Sequence, residues 1–291
     1  MLPVLLGAAA LWGISNMAEA EENVNKANKI NEQAAEIANA ANQKVKNAHS
    51  SMTSTLNKLG KTKMQLMSGN ISEVADIMGK VYKNFKLNKD TKGLKELEDA
   101  GFNETLLGEM ENLSTKAIEL SETSEFKVNE NGGLCAVGAL GGAVLGFGMI
   151  AAPAMLLYSF MQSDEAEAAL YEAKTRLDEA KVYEQRSENI CALFKAISTR
   201  GNQINNLLNV LNIYFDSAVE QMNEVTRIYK YDFRNYPPEG KALLFYTWQI
   251  AKTVKIIVDT SLIQEDWSIN PNIDNSINIG KRTLELLSSG D

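Results

Sequence analysis

The sequence predicts an all-α protein built on two long coiled helices. Three observations carry that prediction. Apolar residues recur every seven positions along two stretches, only 5 prolines occur in 291 residues, and no stretch alternates apolar with polar as a strand does. The expected architecture is an elongated helical bundle, or coiled coil, of two long antiparallel helices. They carry an apolar, glycine-rich, hairpin-like head, with shorter helices flanking them.

Residues 1–18 form an apolar N-terminal segment without charge, running Leu2-Pro3-Val4-Leu5-Leu6-Gly7 and on to Trp12. It resembles the hydrophobic region of a secretion signal, but no basic residue precedes it, the first being Lys26. The reading is a retained segment, only just long enough to span a bilayer. The first long helix runs from about Ala18 to Leu66. Ala27, Ala34, Ala41 and Ala48 mark one seam, and Val24, Ala38, Val45, Met52 and Leu59 the other, with Asn31 as a polar exception. Sustained heptads call for a partner helix, and alanine on a seam lets two axes approach closely. Two shorter helices, Ile71 to Lys86 and Thr105 to Thr123, are joined by the polar stretch Lys89–Gly93 and by Gly101.

The second long helix extends from Ser163 to about Asp232. Ser163-Asp164-Glu165 supplies a capping residue and acids at the positive end of its dipole. Ile190, Ile197, Ile204, Leu211, Ala218 and Val225 repeat every seven residues, and Phe194, Gly201, Leu208, Phe215 and Met222 fill the alternate seam. At ~1.5 Å per residue the helix would run ~100 Å, and the first long helix is its natural partner. Tyr236-Pro237-Pro238-Glu239-Gly240 then stops helix. An amphipathic helix from Lys241 to about Gln264 and a short last helix ending near Leu287 flank the loop at Asn270-Pro271-Asn272.

Between the long helices lies the segment expected to carry function. Asn131 to Ser163 contains no charged residue. Residues 131–162 are therefore read as a membrane-inserting segment within a helical bundle made of 19–130 and 163–291. Leu134 to Met161 would be ~42 Å long as one helix, against a hydrocarbon core of ~30 Å. A bend at Gly141 or Pro153 would fold it into a hairpin. Leu134, Val137, Leu140, Val144, Leu145, Phe147, Met149, Ile150, Leu156, Leu157 and Phe160 supply a lipid-facing surface. Gly138, Gly142 and Gly146 form two overlapping GxxxG steps, which let helices approach closely inside lipid. Acids rather than lysines flank the segment, at Glu130 and at Asp164, Glu165 and Glu167. That suits a hairpin whose two ends stay together. The competing reading is a buried core segment of a soluble bundle, although glycine is a poor helix former in water.

The remaining features exclude several classes. A net charge of −8 argues against a general nucleic-acid binder. Residues 41–95 are locally basic and 96–130 locally acidic. Such runs are usually solvated faces, the functional alternative being a contact with lipid headgroups or another molecule. Cys135 and Cys191 form no framework or metal spacing and read as small buried hydrophobes. His49, the only histidine, reads as a surface helix position. Trp12, Trp248 and Trp267, with Tyr158 and Tyr246, suit a membrane interface, although Trp248 on an amphipathic helix is more often core. No phosphate loop, nucleophile elbow, dinucleotide glycine pattern or zinc spacing is present, so neither enzyme, cofactor nor metal is expected.

The order of long helix, apolar head and second long helix, over roughly residues 18–235, resembles the α-helical pore-forming toxins. These include cytolysin A, the Hbl and Nhe enterotoxin components and the xenorhabdolysin type. The resemblance rests on the heptads and the Leu134–Met161 segment. It implies a soluble form that becomes membrane-bound, with the lipid bilayer as partner and self-association into a homo-oligomer, or assembly with a second helical component. The alternative function is a membrane-anchored coiled-coil scaffold without pore activity.

Overall fold

The computed structural model describes the backbone of residues 3–122, 170–264 and 268–289, and the side chains of the first long helix from Asn23 and of the second from Ala173. The described residues are all-α. Helices α1 (Pro3–Leu66), α2 (Ser72–Leu87), α3 (Thr91–Asp99), α4 (Glu104–Glu122), α5 (Leu170–Tyr229), α6 (Pro238–Asp259) and α7 (Asn272–Ser289) follow in order. Among those residues the only β feature is an isolated antiparallel bridge between Ile263 and Ile269. The chain divides into two compact units, with the boundaries falling inside both long helices, after Ser51 and after Lys195.

In the first unit, α1 buries Ala27, Ala34, Ala41 and Val45, while α5 buries Ala173, Ala180, Ser187 and Phe194. The seven-residue steps are those of the heptads. Val24, expected in the seam, is instead exposed. Lys44 pairs with Glu184 at 3.8 Å, and His49 meets the Phe194 ring edge-on at 5.6 Å between centroids. Residue numbers rise together on the two helices, so α1 and α5 run parallel here.

The second unit shows the same direction. Thr62 Oγ1 donates to Asn205 Oδ1 (2.7 Å), and Asn70 Nδ2 donates to Asn212 Oδ1 (3.0 Å) and Asp216 Oδ1 (2.6 Å). In α2, Glu73 accepts from Asn223 Nδ2 at 2.9 Å. The expected antiparallel direction is therefore corrected. Antiparallel packing follows when a short loop joins neighbouring helices, whereas about a hundred residues separate α1 from α5. The return run belongs instead to α4, which is antiparallel to α2: Tyr82 Oη reaches Glu104 Oε2 (3.0 Å), while Gly79 faces Leu107 and Glu111.

Proline and turn chemistry place the remaining elements. Pro238 occupies the first turn of α6, so the Pro-Pro step that ends the preceding structure also begins a helix, three residues earlier than expected. A helix, α3, stands where the sequence suggests only a polar link. Lys89 takes a positive φ of 51° to make the turn, and the Asp90 side chain then accepts from Gly93 N at 3.0 Å to cap that helix. Gly93 lies against the Phe85 ring, where any Cβ would overlap it. α6 supplies much of the core through Leu244, Trp248, Ile250, Val254 and Ile257. Trp248 is fully buried beside Phe102, their rings 5.2 Å apart, so it is a core residue rather than an interfacial one. α7 lies antiparallel to α6, with Thr253–Thr283 (3.0 Å) and Thr260–Ser276 (2.6 Å) hydroxyl contacts.

Candidate functional site

The residues expected to enter lipid, from Leu134 to Phe160, lie outside the described residues, as do Gly138, Gly142 and Gly146, the bend positions Gly141 and Pro153, Cys135 and the Ser163 cap. What the structure supplies is the helices on either side of the segment: α4 ends at Glu122 and α5 begins at Leu170. Among the described residues no helix is long and apolar enough to cross a membrane, and no grouping of His, Cys, Asp and Glu would hold a metal ion.

The first unit is a small-residue seam with polar edges. Alanines at 27, 34 and 41 on α1 and at 173 and 180 on α5 are buried. His49 is half-buried rather than a free surface residue; burial pulls its pKa down, and Nε2 is enclosed without a hydrogen-bond partner. Cys191 is partly exposed, and partial burial pushes its thiol pKa up, so it is a poor nucleophile.

Two polar features of the second unit escape the sequence reading. At the end of α1 the helix loosens into a π-helical turn, Met67–Ile71, in which Gly69 leaves helical geometry (φ −98°, ψ −106°). Beside this break a groove of about 430 Å³ is lined by Asn70, Glu73, Asp216, Asn223 and Arg227 among others. A neighbouring hollow of about 190 Å³ shares Asn70 and Asp216 and reaches Thr62 and Gln65. Amide–carboxylate hydrogen bonds occupy its polar groups: Asn70 Nδ2 reaches Asp216 Oδ1 across to α5 at 2.6 Å, and within α5 Asn212 Nδ2 reaches Asp216 Oδ2 at 2.8 Å. This is cross-helix bracing, with no general base and nucleophile set together.

The second feature is Lys63, 1% exposed. Its Nζ donates to Val258 O (2.8 Å) and Thr260 O (3.2 Å), so it caps the C-terminal carbonyls of α6. Burial lowers its pKa to about 8, the Asp259 carboxylate opposing the shift. A signal for it exists in the sequence, because Met52, Leu56, Leu59, Lys63 and Leu66 step by four and three along one face.

No protein-family model, curated protein or solved structure matches this chain.

Proposed function

We propose that this chain is a membrane-inserting, self-associating α-helical protein that permeabilises or remodels a bilayer, as the resemblance to α-helical pore-forming toxins implies. The observation that carries the reading is Asn131 to Ser163, without one charge, placed between two heptad-bearing helices. Leu134, Val137, Leu140, Leu145, Phe147, Ile150 and Leu157 face lipid, and Gly138, Gly142 and Gly146 bring inserted helices together. The long helices supercoil through their heptad seams. The protein exists as a soluble form that converts to a membrane-bound one, with a bilayer and further copies of itself, or a second helical component, as partners. It has no catalytic role.

The test is dye release from liposomes together with sedimentation of the same mixture, for the wild type and Leu145→Lys. A lysine at mid-segment costs about 2.5–3.5 kcal/mol in hydrocarbon, so the variant should lose release while its circular dichroism is unchanged. Release by the two proteins alike sinks the reading. Co-sedimentation of the wild type without release supports the membrane-anchored scaffold instead.

A further inference from the structure

Within the second unit, the turn from α2 into α3 gathers positive charge around an exposed leucine. Between Lys83 and Lys95 the chain carries five lysines against one acid, Asp90. Leu87, the last residue of α2, is 83% exposed, more than any other large apolar side chain among the described residues. Lys83 lies one turn before it on the same face of α2. Lys86, Lys89 and Lys92 flank it along the chain, and all are exposed.

The backbone of the turn is strained to keep a lysine there. Asp90 N donates to Phe85 O (3.0 Å) and Lys89 N to Lys86 O (3.3 Å), which closes α2 and puts Lys89 at a left-handed φ of 51°. Glycine is the residue that such a position favours. A lysine held in that conformation is a cost the fold does not require. Nor is its charge used internally: Lys83, Lys89 and Lys95 pair with no carboxylate among the described residues. Lys92 reaches Glu96 only at 4.0 Å, and Lys86 is held by Glu104 at 3.2 Å. Asp90 is occupied in capping Gly93 N. The turn that precedes α6 packs beside this one, Phe233 against Phe85 with centroids 5.3 Å apart. Its Arg234 and Asp232 pair with each other at 2.6 Å, so they add no net charge.

The net charge of −8 does not cancel this face, because at ~0.1 M salt a charge is screened within about 10 Å. The partner that fits offers fixed negative charge above an apolar layer that accepts a leucine. A nucleic acid supplies the first and not the second. An anionic leaflet supplies both, and an apolar side chain joined to a basic cluster is the pair of signals that surface binding needs. We propose that the α2–α3 turn is a docking face for an anionic lipid surface, with Leu87 entering the headgroup boundary and Lys83, Lys89 and Lys92 set against lipid phosphates and carboxylates.

The experiment is sedimentation of the full chain with phosphatidylcholine vesicles, made with or without phosphatidylserine, at low and at high salt. The wild type should bind the phosphatidylserine vesicles more tightly, and high salt should remove the difference. Lys83→Ala/Lys89→Gly/Lys92→Ala should weaken that binding by about a hundredfold, and Leu87→Gln by about tenfold. Glycine suits the backbone at position 89 and the other changes are at exposed positions, so circular dichroism should be unchanged. Equal binding to the two kinds of vesicle overturns the proposal, as does a triple variant that binds like the wild type. Binding to double-stranded DNA with none to phosphatidylserine vesicles also overturns it. Dye release without a preference for phosphatidylserine overturns this docking face and leaves the membrane-permeabilising function standing; the preference without dye release does the reverse.

Discussion

Lys63 shows what a single charged residue does when periodicity places it in a core. Its side chain is fully buried and holds two carbonyls at the end of α6. Burial sets its pKa near 8 when folded, against 10.5 for the free side chain, so between those values the unfolded chain binds more protons than the folded one. Stability should then rise with pH through that window, by about 3 kcal/mol at most. The neutral amine keeps two N–H donors for the two carbonyls, so the contact survives deprotonation. Urea unfolding at pH 7.5 and pH 10 should show the rise in the wild type and not in Lys63→Met. Tyr236 acts in the opposite sense only at higher pH, because burial pushes its phenol pKa up. Gly93 gives a steric counterpart. A methyl there would overlap the Phe85 ring, so Gly93→Ala should cost about 1–3 kcal/mol in the same assay. A cost near zero would mean that the α2–α3 turn shifts freely.

At the scale of the element, the two long helices depend on small residues in their seam. Ala34 and Ala180 are buried at heptad positions, and a larger side chain at either would force the packed helices apart. Ala34→Leu should therefore lower the thermal midpoint, by several degrees for ~1 kcal/mol or more, whereas Glu36→Leu, at an exposed position, should not. Equal midpoints would show that the seam tolerates volume. The heptads make this seam legible: Ala27, Ala34, Ala41, Ile197, Ile204 and Leu211 are all buried as their spacing requires. Val24 departs from its expected place because a heptad pattern does not say where pairing stops. α3 is hard to read from sequence because its nine residues bury only Gly93 and Leu97, too few for an apolar period.

At the scale of the whole molecule, function is proposed to concentrate in a charge-free segment whose two roles separate experimentally. In that proposal the apolar residues carry entry into lipid, and the glycines carry association within it. Gly138→Leu with Gly142→Leu should keep co-sedimentation with liposomes while reducing cross-linked oligomers and dye release together. Loss of co-sedimentation would assign the glycines to entry instead. The local charge runs divide among neighbouring elements of the second unit: Lys86 of α2 pairs with Glu104 of α4, and Lys255 of α6 with Glu109, also of α4. Part of the basic and acidic stretches is therefore taken up in ion pairs, of which the exposed Lys86–Glu104 pair contributes little stability.

By itself the sequence determined helix content, the seam residues and the location of the one long charge-free segment. Those properties depend on spacing and composition within a few turns of chain, which a linear reading contains. Helix direction, the burial of Lys63 and Trp248, and the break at Gly69 were decided by the tertiary structure. Heptad spacing is the same for parallel and antiparallel partners. Only the path of the chain between Leu66 and Leu170, and the contacts made across more than a hundred residues, distinguish the two.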